Sequence, residues 1–152
     1  KLVEILRGME SPIIIFANTR EICEELASHL SCRDFKVALI HGGMTEKERR
    51  QVVNTLYGGG IDIIVATDIL SRGIDIEGVQ NVINFQMPVD ISVYVHRIGR
   101  TGRNQGQGFA TSLVTPDDRA ILYSLRQLLE HNHIPIPEEM LKNPASQVKF
   151  TP

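Results

Sequence analysis

Two rhythms of apolar residues alternate along the chain. Short β-branched or aromatic runs at 12–17, 36–40, 62–66, 81–85 and 108–114 read as buried strands. Segments 1–9, 19–30, 89–98 and 116–131 instead return apolar side chains every three or four positions, as do the residues from 45 to the Gly58-Gly59-Gly60 stop, and these read as helices. In the second helix Ile22, Cys23, Leu26 and Leu30 share one face. The boundaries carry their own chemistry. Thr19 and Thr45 suit N-caps, Glu46 and Glu48 suit the positive end of the helix dipole, and Asp90 opens the fourth helix after Pro88 has stopped a strand. Thr115-Pro116-Asp117 reads as a cap with proline at the first helical position. Pro135, Pro137 and Pro144 mark 132–152 as an extended or partly disordered surface tail behind a domain at 1–131. The alternation predicts an α/β fold whose mainly parallel sheet is covered by helices on both faces, with its chemistry at the carboxyl ends of the strands.

Composition narrows this picture. The 152 residues, 42% hydrophobic and 22% charged, suffice for one domain with a core of its own. A formal charge of −2 supplies no general attraction to nucleic acid or anionic lipid, so any such contact must be local. The apolar run at 13–17 is too short to span a bilayer, and no membrane partner is expected. Without an initiating Met or a leader pattern, the chain reads as a piece of a longer intracellular protein. Cys23 and Cys32 are too few for a disulfide framework and too far apart for a C-x-x-C zinc site. A scattered site with His29 and His41 is conceivable, but inert reduced thiols and no metal are the simpler expectation. His131-Asn132-His133 reads as a helix end.

Four segments carry candidate chemistry. His96-Arg97-Ile98-Gly99-Arg100-Thr101-Gly102-Arg103 sets three arginines three apart with glycines between them. Arginine is permanently charged and matches phosphate with a planar fork, and glycine lets backbone approach a ligand. Ala66-Thr67-Asp68-Ile69-Leu70-Ser71-Arg72-Gly73-Ile74-Asp75 follows a strand directly. There Thr67 suits a phosphate and Asp75 a ribose, although Asp68 also reads as a helix cap and Asp75 as a turn residue. Phe16-Ala17-Asn18-Thr19-Arg20 and His41-Gly42-Gly43, the latter followed by Arg49 and Arg50, complete the set. All four are expected on one rim. No G-x-x-x-x-G-K-[ST] loop is present to cradle nucleotide phosphates, and no acidic pair stands ready for Mg²⁺. Arginines fit to touch phosphates without a cradle to hold them suggest half of a two-part machine.

HRIGRTGR at 96–103, ATDILSRGID at 66–75, IIIFANTR at 13–20 and the HGG turn at 41–43 resemble, in this order, the second RecA-like domain of DEAD-box RNA helicases. The resemblance covers about residues 1–131. It implies that Asn18, Thr19, Arg20, Gly42, Gly43, Arg49, Thr67 and Gly73 lie along the RNA backbone. It places Asp75 toward the nucleotide ribose, and Arg100 and Arg103 as fingers on the γ-phosphate. Arg72, His96 and Arg97 would face the first RecA-like domain, which would hold most of ATP and its Mg²⁺. Glu46 stands where the family usually has glutamine, and a carboxylate there would repel phosphate. The tail at 137–147 resembles that of the spliceosomal, U5-associated DEAD-box subfamily, which would imply spliceosomal protein partners and the nucleus; otherwise the cytoplasm is expected.

The chain alone is then expected to hydrolyse no ATP and to bind RNA weakly and salt-sensitively. Two other readings stand beside this one. One is a catalytically silent RecA-like module that binds RNA or protein. The other is a Rossmann-type dinucleotide enzyme, which would need G-x-G-x-x-G where Asn18-Thr19-Arg20-Glu21 stands.

Overall fold

The computed structural model describes residues 1–71, 76–102, 106–149 and 151. Its strands are β1 (Ile13–Phe16), β2 (Val37–Ile40), β3 (Ile63–Ala66), β4 (Asn81–Asn84) and β5 (Phe109–Ser112). Its helices are α1 (Leu2–Arg7), α2 (Arg20–Ser31), α3 (Glu46–Tyr57), α4 (Ile91–Ile98), α5 (Arg119–His131) and α6 (Glu138–Lys142), with short 3-10 turns at Asp68–Ser71 and Pro144–Ser146. The strands form one sheet in the order β2-β3-β1-β4-β5. All four pairings are parallel, with Ile13 beside both Ile63 and Asn81. The expected α/β architecture is present, and its sheet is parallel throughout.

A parallel sheet needs both faces covered, and the strand sequences supply apolar residues to both. Ile14, Phe16, Ile64 and Val82 point to the side where Val53 and Leu56 of α3 pack. Ile13, Ile15, Val65 and Ile83 point to the other, against Leu6 of α1 and Cys23, Leu26 and Leu30 of α2. Burying each such side chain contributes about 1.5–3 kcal/mol, and β1, at the centre of the sheet, is buried at all four of its residues, as are β3 and β4. Thr19 accepts the Ile22 N–H at 3.3 Å and caps α2. Thr45 and Glu48 cap α3 reciprocally: the Glu48 N–H donates to Thr45 Oγ1 at 3.2 Å and the Thr45 N–H to Glu48 Oε2 at 2.7 Å.

Two expectations need correction. α5 starts at Arg119, not at Pro116, because Asp118 Oδ2 accepts the Thr115 N–H at 2.7 Å and holds Thr115–Asp118 as a turn. The tail is not an extended strand of chain. α6 puts Met140 into a cluster with Tyr94 of α4 and Ile121, Leu122 and Leu125 of α5. The Ser146 hydroxyl, buried at 1% exposure, lies 2.6 Å from the Met140 carbonyl and 2.8 Å from that of Asn143. Residues 138–146 therefore continue the domain rather than trail from it. Among the described residues no helix is long and apolar enough to cross a membrane, and no group of three or more His, Cys, Asp or Glu is placed to hold a metal ion.

Candidate functional site

Three of the singled-out segments leave the carboxyl ends of adjacent strands: 17–20 after β1, 41–43 after β2, and Thr67 with Asp68 after β3. Around the β2 loop they converge. The Gly43 N–H donates to His41 Nδ1 at 3.0 Å, and Arg49 Nη2 donates to the Gly42 carbonyl at 3.3 Å. A Cβ on Gly43 would lie 3.2 Å from Arg20 Nη1 and 3.1 Å from the His41 ring, so glycine gives Arg20 its place there. Arg49 Nε is buried with no hydrogen-bond partner among the described residues. Arg20 Nε is held by Glu24 at 2.8 Å. Glu46 pairs with Arg50 one turn along α3, which engages the carboxylate that departs from the family pattern. Thr67 is half-buried at the end of β3.

Asn18 is occupied by the fold. Its N–H donates to Gln86 Oε1 and its Nδ2 to the Met87 carbonyl, both at 2.9 Å, and its Oδ1 accepts from Arg97 Nη2 at 2.9 Å. The amide thus ties the β1 rim to the loop after β4.

Arg97 is the centre of this network, and here the structure corrects the expectation of an interdomain side chain. Arg97 is 1% exposed. Its Nε and Nη2 donate to Asp68 Oδ1 and Oδ2 at 2.6 and 2.9 Å, and its Nη1 to the Gln86 carbonyl at 2.7 Å and Asn84 Oδ1 at 3.3 Å. The guanidinium lies 5.3 Å from the Phe16 ring centroid. A buried cation demands such saturation, and none of its donors is left for a second domain. His96, one residue earlier, is exposed.

Arg100 lies elsewhere. The Val79 N–H donates to the Arg100 carbonyl at 3.2 Å, and Thr101 bridges Val79 in parallel. Val79 precedes the first residue of β4, so the Arg100 backbone sits at the amino end of that strand, not on the carboxyl rim. The single rim expected from sequence is therefore two places, joined by α4. Arg100 is half-buried, and its guanidinium makes no hydrogen bond or ion pair with another described residue. Arg72, Gly73, Asp75 and Arg103 lie outside the described residues.

Sequence reading missed Asn84, Gln86 and Phe16 as partners of Arg97. A signal existed: Asn81 and Asn84 are polar residues in a strand otherwise built to be buried, and both are buried, at 5% and 0% exposure. Asn81 Nδ2 donates to the Glu10 carbonyl at 2.8 Å, and Asn84 Nδ2 to Ser112 Oγ at 3.1 Å.

Residues 1–105 match the family model described as the helicase conserved C-terminal domain. The chain is 40% identical over 151 residues to the probable ATP-dependent RNA helicase DDX23 of Homo sapiens, an alignment covering 98% of this chain and 18% of that protein. It is 37% identical over 152 residues to the pre-mRNA-splicing ATP-dependent RNA helicase PRP28 of Yarrowia lipolytica, covering 98% and 26%. Its fold superposes on the RNA helicase Prp28 from Chaetomium thermophilum bound to ADP with a TM-score of 0.84 at 38% identity, covering 91% of this chain and 35% of that one. For the yeast DEAD-box splicing factor Prp28 the TM-score is 0.86 at 29% identity, covering 97% and 33%. The chain spans about a quarter or less of the length of these curated relatives.

Proposed function

The chain belongs to the helicase conserved C-terminal domain family, as the C-terminal RecA-like domain of a DEAD-box RNA helicase, and on that premise we propose that it completes an ATP site begun by a preceding RecA-like domain. ATP with Mg²⁺, held mainly by that other domain, supplies the reactive phosphoanhydride. Arg100 and Arg103 approach its γ-phosphate on domain closure and stabilise transition-state charge, while Asp75 orients the ribose. RNA runs along the carboxyl rim, contacted through phosphate and ribose by Thr19, Arg20, Gly42, Gly43, Arg49, Thr67 and Gly73, with Asn18 shaping the rim from within. Arg72 and His96 face the first domain. Binding is independent of sequence because backbone contacts carry none. Relatives named as pre-mRNA-splicing helicases favour a nuclear splicing role with spliceosomal protein partners.

One observation carries this reading: Arg97 spends every donor inside the domain, whereas Arg100, three residues on and half-buried as a residue, has no described partner for its guanidinium. A cation without a described partner fits an anion arriving from outside. The unpartnered Arg49 Nε beside Gly42 fits the same chemistry on the RNA side. In the full-length protein, Arg100→Ala should lower RNA-stimulated ATP turnover on the order of 10³-fold and leave the melting temperature unchanged. Near-normal kcat would refute the assignment.

A further inference from the structure

Arg100 is followed by a residue that has no place in the reaction as proposed, yet its side chain is fastened to the backbone beside it. Thr101 Oγ1 donates to the Val79 carbonyl, with the Gln80 carbonyl also within reach at 3.3 Å. The backbone is stitched at the same point. The Val79 N–H reaches the Arg100 carbonyl at 3.2 Å, the Phe109 N–H reaches the Gln80 carbonyl at 3.0 Å, and Gln80 Nε2 donates to the Gln107 carbonyl at 3.3 Å. Residues 79–80, 100–101 and 107–109 thus form a three-stranded clasp beneath the start of β4.

Gly108 is the seat of that clasp. A Cβ built there would lie 1.9 Å from Thr101 Oγ1, 2.8 Å from Thr101 Cβ and 2.4 Å from the Gly102 nitrogen. Two of these neighbours are a short, β-branched side chain and the third is backbone, so none can swing away as a long flexible chain would. Gly102 has φ +77°, in the left-handed region that favours glycine, and turns the chain immediately after the clasp. Arg100 therefore sits between two fixed points: Arg97, locked in the interior at the carboxyl rim, and Thr101, latched to the amino end of β4.

We propose that Thr101 and Gly108 are positioning residues for the Arg100 finger: the Thr101 hydroxyl latches the segment to the Val79–Gln80 backbone, and the bare Cα of Gly108 makes room for the latch. The inference rests on the reading of Arg100 as a finger. A finger contributes most when its charge is held in place before the transition state forms, and displacement by an ångström can cost on the order of 10²-fold in rate. The latch should therefore act on kcat. It should leave the affinities for ATP and RNA alone, because neither Thr101 nor Gly108 belongs to the proposed contacts with them.

The test measures RNA-stimulated ATP turnover, KM for ATP and single-stranded RNA affinity in the full-length protein for Thr101→Ala, Thr101→Ser, Gly108→Ala and Arg100→Ala, with a thermal melt of each. The expected result is a kcat lowered about 10- to 100-fold in Thr101→Ala and Gly108→Ala. KM and RNA affinity should stay within about twofold, and Thr101→Ser, which keeps the hydroxyl, should match the parent. A Thr101→Ala kcat within twofold of the parent overturns the proposal, and so does an equal loss in Thr101→Ala and Thr101→Ser. If Thr101→Ala does not fold, Gly108→Ala decides: parental kcat there is fatal to the latch. Loss of turnover in Arg100→Ala with none in the Thr101 and Gly108 variants removes the latch alone. Parental turnover in Arg100→Ala removes the finger reading beneath it.

Discussion

Arg97 and Asp68 meet in a two-pronged ion pair, Nε to Oδ1 at 2.6 Å and Nη2 to Oδ2 at 2.9 Å, with the arginine side chain 1% and the aspartate 39% exposed. The pair joins α4 to the end of β3, and through Asn18, Asn84 and Gln86 the same guanidinium holds β1 and β4. Lysine cannot reproduce this fork. Arg97→Lys would orphan acceptors in the interior, and each costs about 1–3 kcal/mol. Since Asp68 is partly solvated, the net loss should be about 2–4 kcal/mol, and the melting temperature should fall by about 5–10 °C. His96→Ala, at an exposed neighbour, should leave it unchanged. Equal melting of Arg97→Lys and the parent would show that the network is not structural.

The packed tail makes its own prediction. Met140 is 9% exposed among α4 and α5 side chains. Met140→Ala should cost about 2 kcal/mol, visible as a lower denaturation midpoint with an unchanged slope. A midpoint unaffected by the change would return 132–152 to the extended tail expected from its prolines.

Much of the fold was legible because its signals are local. Ile13 to Phe16 could be little but a buried strand, and Thr19, Thr45 and Asp90 announced their helices through capping chemistry that depends on near neighbours. α6 was not legible. It is five residues long between prolines, too short to stand by its own propensity, and it forms because Met140 and Ser146 find α5. The arginines of 96–103 look equivalent in sequence, yet Arg97 shares the buried face of α4 with Tyr94 while Arg100 lies past the Gly99 cap. Only the tertiary path of α4, from the carboxyl rim to the amino end of β4, separates their roles.

The two thiols should differ sharply. Both are free; Cys32 is exposed and Cys23 buried. Burial, opposed by a hydrogen bond from the Ala17 backbone, pushes the Cys23 thiol up to about 11 from 9.0. The folded state therefore keeps a proton that the unfolded chain releases above pH 9.0. The resulting stability is present below that pH and is lost as pH rises through about 11. Iodoacetamide at neutral pH should label Cys32 alone, and Cys23 only in denaturant. Rapid native labelling of Cys23 would contradict its placement on the buried face of α2, against the sheet.

The α3 cap sets an acid limit. The Thr45 backbone N–H, and then its hydroxyl, hold the Glu48 carboxyl below its usual value of 4.5. The cap should support α3 above pH 4.5 and be lost as pH falls through the lowered value. A carboxyl-carbon NMR titration should give Glu48 a midpoint below 4.5, moved part-way back by Thr45→Ala. An unshifted midpoint in the parent would mean that the reciprocal cap does not persist in solution.

As proposed above, this chain supplies the completing half of an ATP site. The most direct test adds purified 1–152 in trans to its separately purified preceding RecA-like domain and follows ATP hydrolysis with and without single-stranded RNA. Each half alone should be silent, and the pair should show RNA-dependent turnover that Arg100→Ala abolishes. Turnover by 1–152 alone, or turnover by the pair that survives Arg100→Ala, would contradict that role.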